Sequence, residues 1–338
     1  MKRQAAWVMV LALIGLAQAQ VAGPTPGVGL VAATGPQSIE QWLTPLRGVA
    51  QQRSYVGTFV VTTGQYMSSA RVWHVCEGTQ QIERVDALTG VARSTYRRND
   101  QVVSYLPQSK TAMAQKRESL GIFTDVLNRA DPSIAQFYQL KSLGHDQVAG
   151  FSADVIQLVP RDGWRFGYRI WTEKTTGLVL KLQTLDRLQL VLEQAVFTEL
   201  QLAQPISWAK LSAMMDNSEG YLVKKPELIA TAADQEGWQL KAKVPGFKPL
   251  SCQRRQDGGP IVSRGPLQCV FSDGLASVSI FIEAFDPANH GEHRAHEQFA
   301  MGATHMHMRR LDDWWITVVG EVPQQTLQKF AQSLERKK

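Results

Sequence analysis

Five histidines, His290, His293, His296, His305 and His307, form the one group in this 338-residue chain whose type and spacing suit a metal ion. Imidazoles at i, i+3 and i+6, followed by two on one side of a strand, can meet zinc or nickel. No cysteine or well-placed carboxylate completes the set, so an exposed His-rich loop and strand is expected and no metal is assigned. Imidazole also titrates near neutrality, which leaves pH sensing open. His145-Asp146 can orient an imidazole, but without a partnered nucleophile it reads as a solvated turn. There is no G-x-S-x-G, H-E-x-x-H, C-x-x-C, P-loop or G-x-G-x-x-G in a strand-to-helix setting. Neither an enzyme nor a cofactor is expected.

Binding chemistry is better represented. The run Pro160 to Trp171, PRDGWRFGYRIW, alternates as a strand does. It places Trp164, Phe166, Tyr168 and Ile170 on one apolar face and Arg165, Gly167, Arg169 and Trp171 on a cationic one. Guanidinium groups recognise phosphate and carboxylate through paired hydrogen bonds, so Arg165 and Arg169 are candidates for an anionic headgroup or an acidic partner. Solvated arginines on an outer face are the plain alternative. The adjacent Trp314 and Trp315 cannot both point inward on a strand, which predicts that one is exposed or lies at a contact.

These residues need a scaffold of sheets. A helical segment from Ser38 to about Gln52 carries Ile39, Trp42, Leu43, Leu46 and Val49, with Pro45 set to kink it. Strand-like runs follow at Tyr55 to Thr63, Ala70 to Gly78, Gln80 to Leu88, Val91 to Arg98 and Gln101 to Leu106, with Asn99-Asp100 the clearest hairpin turn. Leu120 to Leu143 breaks the pattern, and Asp131 there can cap a short helix with Pro132 at its first position. Strands resume at Ala153 to Val159, Trp164 to Trp171, Leu178 to Leu185 and Leu190 to Leu200. This order predicts α+β architecture, one large unclosed antiparallel sheet wrapped over helices, with room for an apolar groove.

From Gln201 to Glu236 the periodicity decays, as in an interdomain linker, and motion is expected around Met214 to Gly220. A smaller α+β unit follows, with strands at Trp238 to Val244, Leu267 to Phe271, Ala276 to Phe285, Thr304 to Leu311 and Trp315 to Gly320. A closing helix after Pro323 presents Leu327, Phe330 and Leu334 on one face. The boundaries expected are residues 37–204 for the first domain, 205–235 for the linker and 236–336 for the second domain.

The first 19 residues read as a signal peptide: Lys2 and Arg3, an apolar run from Trp7 to Leu16, then Ala17-Gln18-Ala19. Residues 20–36 form a Gly/Pro-rich tether. A soluble periplasmic protein is expected, since no later apolar run approaches the roughly 18 residues of a membrane span. The chain has 36 basic and 30 acidic residues, too mild and too dispersed a surplus for nucleic acid. Export permits disulfides, and Cys252 with Cys269 form the natural pair, leaving Cys76 over. Three unbridged thiols are the alternative.

Arg161-Asp162-Gly163, Tyr168-x-Ile170-Trp171 and Leu192-Glu193-Gln194, then Pro245-Gly246-Phe247, Phe271 to Leu275 and Ile316 to Pro323, together resemble the RseB/MucB family of periplasmic regulators of the sigma-E envelope-stress response. The likeness spans about Gln37 to Leu334. It implies a LolA/LolB-like first domain with an apolar cavity, to which Trp42, Phe59, Trp73, Trp164, Phe166, Tyr168 and Ile170 are assigned. Arg165, Arg169, Trp171, Trp314 and Trp315 are assigned to partner or headgroup binding. The implied partner is the periplasmic segment of an RseA/MucA-like anti-sigma factor, shielded from site-1 proteolysis and released by lipopolysaccharide or lipoprotein acyl chains. Homo-oligomers are compatible with this reading, and the alternative is a LolA-type lipid carrier without a regulatory partner. The turn at Asp186 to Gln189 lacks the family's glycine, and the His-rich stretch has no counterpart in that resemblance.

Overall fold

Alternating apolar residues build most of this chain into two antiparallel sheets. The computed structural model describes residues 38–46, 53–116, 132–202, 206–256, 265–290 and 298–337. The stretches expected as a signal peptide and a tether, together with Asp131, His293 and His296, lie outside the described residues. The first lobe opens with helix α1 (Ile39–Leu46), whose Ser38 hydroxyl accepts the Gln41 amide at 3.1 Å as an N-cap. Its strands are β1 (Tyr55–Thr63), β2 (Tyr66–Glu77), β3 (Gln80–Ala87), β4 (Ser94–Arg98), β5 (Gln101–Leu106), β6 (Thr111–Lys116), β7 (Tyr138–Val148), β8 (Phe151–Pro160), β9 (Gly167–Glu173), β10 (Val179–Leu185) and β11 (Val191–Gln201). Helix α2 (Trp208–Asp216) and strand β12 (Leu222–Lys224) follow.

These strands form one 12-stranded sheet in the order β12-β6-β5-β4-β3-β2-β1-β11-β10-β9-β8-β7. It is antiparallel except where β12 runs parallel to β6. The expected large open sheet is therefore present, and both of its ends are edge strands. Residues β6, β7 and β12 add to the sheet were not expected as strands. Sequence reading missed β7 because Leu143-Gly144-His145-Asp146 looks like a turn. In the structure Gly144 takes φ +89° at a bulge and pairing with β8 continues through it.

One face of this sheet packs Phe59, Tyr168, Ile170, Leu182 and Phe197 against Ile39, Trp42 and Leu43 of α1. The opposite face of β2 to β6 carries Val75, Ile82, Tyr96 and Tyr105, covered by Leu211 and Met215 of α2. Within the stretch expected as a linker, α2 and β12 thus pack on the first lobe, and Glu227–Ala230 belongs to the second sheet. Arg98 binds Asp216 at 2.7 Å, and the Tyr105 hydroxyl donates to the Met215 carbonyl at 2.6 Å. Met214 and Met215 belong to a packed helix rather than a hinge, and only Lys225 and Pro226 separate the two sheets.

The second lobe contains β13 (Glu227–Ala230), β14 (Trp238–Leu240), β15 (Lys248–Gln256), β16 (Leu267–Ser272), β17 (Ser277–Ala284), β18 (Gln298–Met301), β19 (Thr304–Leu311), β20 (Trp314–Gly320), helix α3 (Gln324–Ser333) and β21 (Leu334–Arg336). Seven strands form a sheet in the order β13-β15-β16-β17-β20-β19-β18, and β14 pairs with β21. Leu267, Val278, Ile280, Ile316 and Val318 pack beneath Leu327, Phe330 and Ala331 of α3. Leu334 does not extend that helix face as expected; it starts β21 and pairs with Leu240. Cys252 and Cys269 face each other on β15 and β16 and form a disulfide.

Candidate functional site

The joint between the lobes is built from the run Pro160 to Trp171, though not as an alternating strand. Strand β9 begins only at Gly167. Before it, Asp162 Oδ1 accepts both the Trp164 amide and Arg165 Nε at 3.0 Å, a side-chain-stabilised turn that breaks the alternation. The turn swings Trp164 onto the core of the second lobe and Phe166 against His305, 5.6 Å between ring centroids. Neither lines a first-lobe cavity.

Arg165 is wholly buried rather than on a cationic surface. Its Nη1 donates to Asp273 Oδ2 at 2.6 Å and its Nη2 to the Pro245 carbonyl at 2.7 Å, both in the second lobe. The guanidinium lies over Phe137 at 4.5 Å and Phe247 at 5.3 Å. Asp273 also accepts the Leu275 and Ala276 amides and the Tyr138 hydroxyl. Burial pushes its carboxyl up, opposed by those donors and by the Arg165 charge. Gly246, at φ +83°, permits the close approach: a Cβ there would sit 2.8 Å from Arg165 Nη2. On α3, Thr326 Oγ1 donates to the Trp164 carbonyl at 2.8 Å. Arg165 is therefore a pin between lobes, out of reach of any headgroup.

The other assigned residues scatter. Phe59, Tyr168 and Ile170 do share one sheet face, and they are buried with Trp42 of α1 in one core. Trp73 lies on the opposite face, since it pairs with Val56 whereas Phe59 pairs with Ala70; it is covered by Arg71 and Arg84 at 5.6 and 5.1 Å. Arg169 stands between Gln157 and Gln183 in the cross-strand row and donates to Gln183 at 3.3 Å. Trp171 is buried, its indole N–H donating to Asp146 at 2.8 Å with Lys181 over its ring. His145 pairs with Asp154 at 2.7 Å across β7 and β8 rather than with Asp146 in a loop. Trp314 and Trp315 point to opposite faces as predicted, yet neither is open. Trp314 meets Trp238 and Arg336, and Trp315 is stacked on His290 at 4.9 Å. Among the described residues no group of three or more His, Cys, Asp or Glu could hold a metal.

A cleft of about 1630 Å³ opens between the lobes. One wall is β5, β6, β12 and the end of α2, presenting Val103, Tyr105, Ala114, Val223 and Asp216. The other is the outward face of the second sheet. Strand alternation sends Cys269, Val278 and Ile280 into the core and leaves Gln253, Gln268, Val270, Ser279 and Phe281 facing the cleft. The volume exceeds the roughly 300–1,000 Å³ of small-molecule sites. Strands β12 and β13, each an edge of its sheet, border it through Val223, Leu228 and Ala230. Such edges offer backbone donors and acceptors to an added strand. Glu321 also reaches the cleft, where enclosure by protein and then the charge of Glu193 push its carboxyl up to about 7. Sequence reading had no signal for this site, because its walls come from distant strands whose outward residues are ordinary Ser, Gln and Val.

A family model for the MucB/RseB N-terminal domain matches residues 38–215, and one for the MucB/RseB C-terminal domain matches residues 232–335. The sigma factor AlgU regulatory protein MucB of Pseudomonas aeruginosa is 31% identical over 90% of this chain and 93% of its own length. The sigma-E factor regulatory protein RseB of Escherichia coli K12 is 23% identical over 85% of this chain and 87% of its own. Among solved structures, the Pseudomonas aeruginosa MucA/MucB complex aligns with a TM-score of 0.67 at 27% identity, covering 88% of this chain and 99% of that one. Two domain models in the expected order, a relative above 30% identity and a shared two-lobe structure agree: this chain belongs to the MucB/RseB family.

Proposed function

We propose that this protein is a periplasmic negative regulator of a sigma-E-type stress response. It holds an extended stretch of the periplasmic part of a membrane anti-sigma factor in the interlobe cleft and so shields that stretch from its first protease. The observation that carries this reading is the cleft itself: too large for a metabolite, walled by both lobes and bordered by two edge strands. The partner's identity follows from the family, in which MucB is known in complex with the periplasmic part of MucA. Stress release then needs a lipid-type ligand that binds one arrangement of the lobes better than another. Arg169, half-buried and facing away from the core, is the remaining arginine of the pair for an anionic group.

The carrier alternative requires an open apolar cavity in the first lobe. Among the described residues, Trp42, Phe59, Tyr168 and Ile170 are buried together in a core, and the cleft is walled by both lobes, which supports regulation. The test is protection: purified mature protein should slow cleavage of the cognate anti-sigma segment by its site-1 protease, and Ser279→Trp together with Ala114→Trp, which fill the cleft, should abolish the effect. No protection at saturating protein, or full protection by the filled variant, removes this reading.

A further inference from the structure

Outside the cleft and the joint, one row of side chains has the composition of an activated nucleophile. On β2, His74 and Cys76 are two residues apart and share a face. Cys76 Sγ lies 3.2 Å from His74 Nε2, and His74 Nδ1 lies 3.3 Å from Glu83 Oε2, which stands directly opposite His74 on β3. Thiol, imidazole and carboxylate thus form one connected row, with the base oriented by a third group and the thiol also 3.8 Å from the Arg53 carbonyl. His74 is 1% exposed and Glu83 7%, while the thiol end is half-buried. Tyr55 stacks on the imidazole at 5.0 Å and fixes its plane. Arg97 on β4 stands opposite Glu83, and the Cys76 amide donates to Ser54 Oγ at 3.1 Å, anchoring the strand end that carries the sulfur. Cys252 and Cys269 are bonded to each other.

We propose that Cys76 is an oxidation site for hydrogen peroxide, with His74 as its base and Glu83 as the group that orients and charges the imidazole. The thiol proton passes to His74 Nε2, leaving a thiolate beside an imidazolium held by the Glu83 carboxylate. Sulfur attacks one peroxide oxygen, the O–O bond breaks, and the departing hydroxide takes the proton back from His74 as water. Cys76 becomes a sulfenic acid, sulfur losing the two electrons that peroxide gains. Burial opposes a charged imidazole, yet the contacts with Cys76 and Glu83 outweigh it and raise His74 to about 9. A half-buried sulfur admits a molecule as small as peroxide more readily than a bulky disulfide. Loss of the thiolate also removes one of the two partners of the His74 charge, in the strand that joins the α1-facing core to the α2-facing core of the first lobe.

The test uses the mature protein with its Cys252–Cys269 bridge intact. Loss of the Cys76 thiol is followed at pH 6 under hydrogen peroxide, with the product trapped by a cyclic 1,3-diketone and read by intact mass. Native protein should react about tenfold faster than the same chain unfolded in guanidinium, where Cys76 is an ordinary exposed thiol. Glu83→Gln should fall between the two, and His74→Gln should lose the advantage. The native-to-unfolded comparison needs no variant to fold. A native rate equal to or below the unfolded rate overturns the proposal and leaves His74 as a satisfied core histidine.

Discussion

Replacing Arg165 with Met should uncouple the two lobes. The guanidinium and the Asp273 carboxylate are both fully buried, 2.6 Å apart, and belong to opposite sides of the joint. Met fills much of the aliphatic volume between Phe137 and Phe247 but leaves the Asp273 charge without its counter-ion. The Leu275 and Ala276 amides and the Tyr138 hydroxyl remain on that carboxylate, while Pro245 loses its donor. Breaking a buried pair from one side costs about 3–5 kcal/mol, and the isolated charge dominates that cost. At about 1.4 kcal/mol per decade, this is a shift of roughly two to three and a half decades in the docking or folding equilibrium. Urea unfolding followed by tryptophan fluorescence measures it, and small-angle scattering shows whether the lobes separate before they unfold. Pairing Arg165→Met with Asp273→Leu should restore most of the loss, because an apolar replacement of both partners removes the uncompensated charge. If Arg165→Met alone lies within 1 kcal/mol of the native protein, the joint is held by its apolar contacts and the pin is incidental.

Two further outcomes follow from the same geometry. Glu321 has a folded-state value near 7 against about 4.5 for an unfolded glutamate, so its contribution to stability is fully present below about 4.5 and declines as pH rises through 7. Its side chain reaches solvent in the cleft, which makes the effect modest; Glu321→Gln should flatten the pH dependence of the unfolding midpoint between 4.5 and 7, and an unchanged slope would discount it. Reducing the Cys252–Cys269 bridge, a separation of 17 residues, should cost about 3 kcal/mol by loop closure, measured as the difference in urea midpoint with and without reductant. A difference near zero would mean that the cross-strand pairing of β15 and β16 carries that hairpin unaided.

The joint shows where reading from the chain succeeds and where it stops. Strands such as β1, β5 and β19 have the boundaries expected, because their period-2 pattern is local and nothing interrupts it. Asn99-Asp100 turns between β4 and β5 with Asn99 at φ 55°, as its residue types demand. The glycine-free turn at Asp186 to Gln189 is also locally determined: Asp186 Oδ1 accepts the Leu188 and Leu190 amides, and Gln189 takes φ 67°. The segment 160–166 misleads for an equally physical reason. Its alternation is compatible with a strand, but the Asp162 side chain captures two donors and ends the extended run before Gly167.

Local pattern, then, determined the two-sheet composition, the order of the lobes and the membership of the chain in its family, since periodicity and motif spacing survive without knowledge of contacts. Tertiary structure alone decided what the prominent residues do. Arg165 meets Asp273 across 108 positions and Trp164 leaves its own lobe for the other. Trp73 turns away from Phe59, and helix α2, in a stretch expected to be a linker, closes on a sheet face. A strand's alternation states that two faces exist; which of them meets a core, a second lobe or an open cleft depends on strands far away in sequence. For the same reason Cys76, His74 and Glu83 form a row only once β2 and β3 are in register.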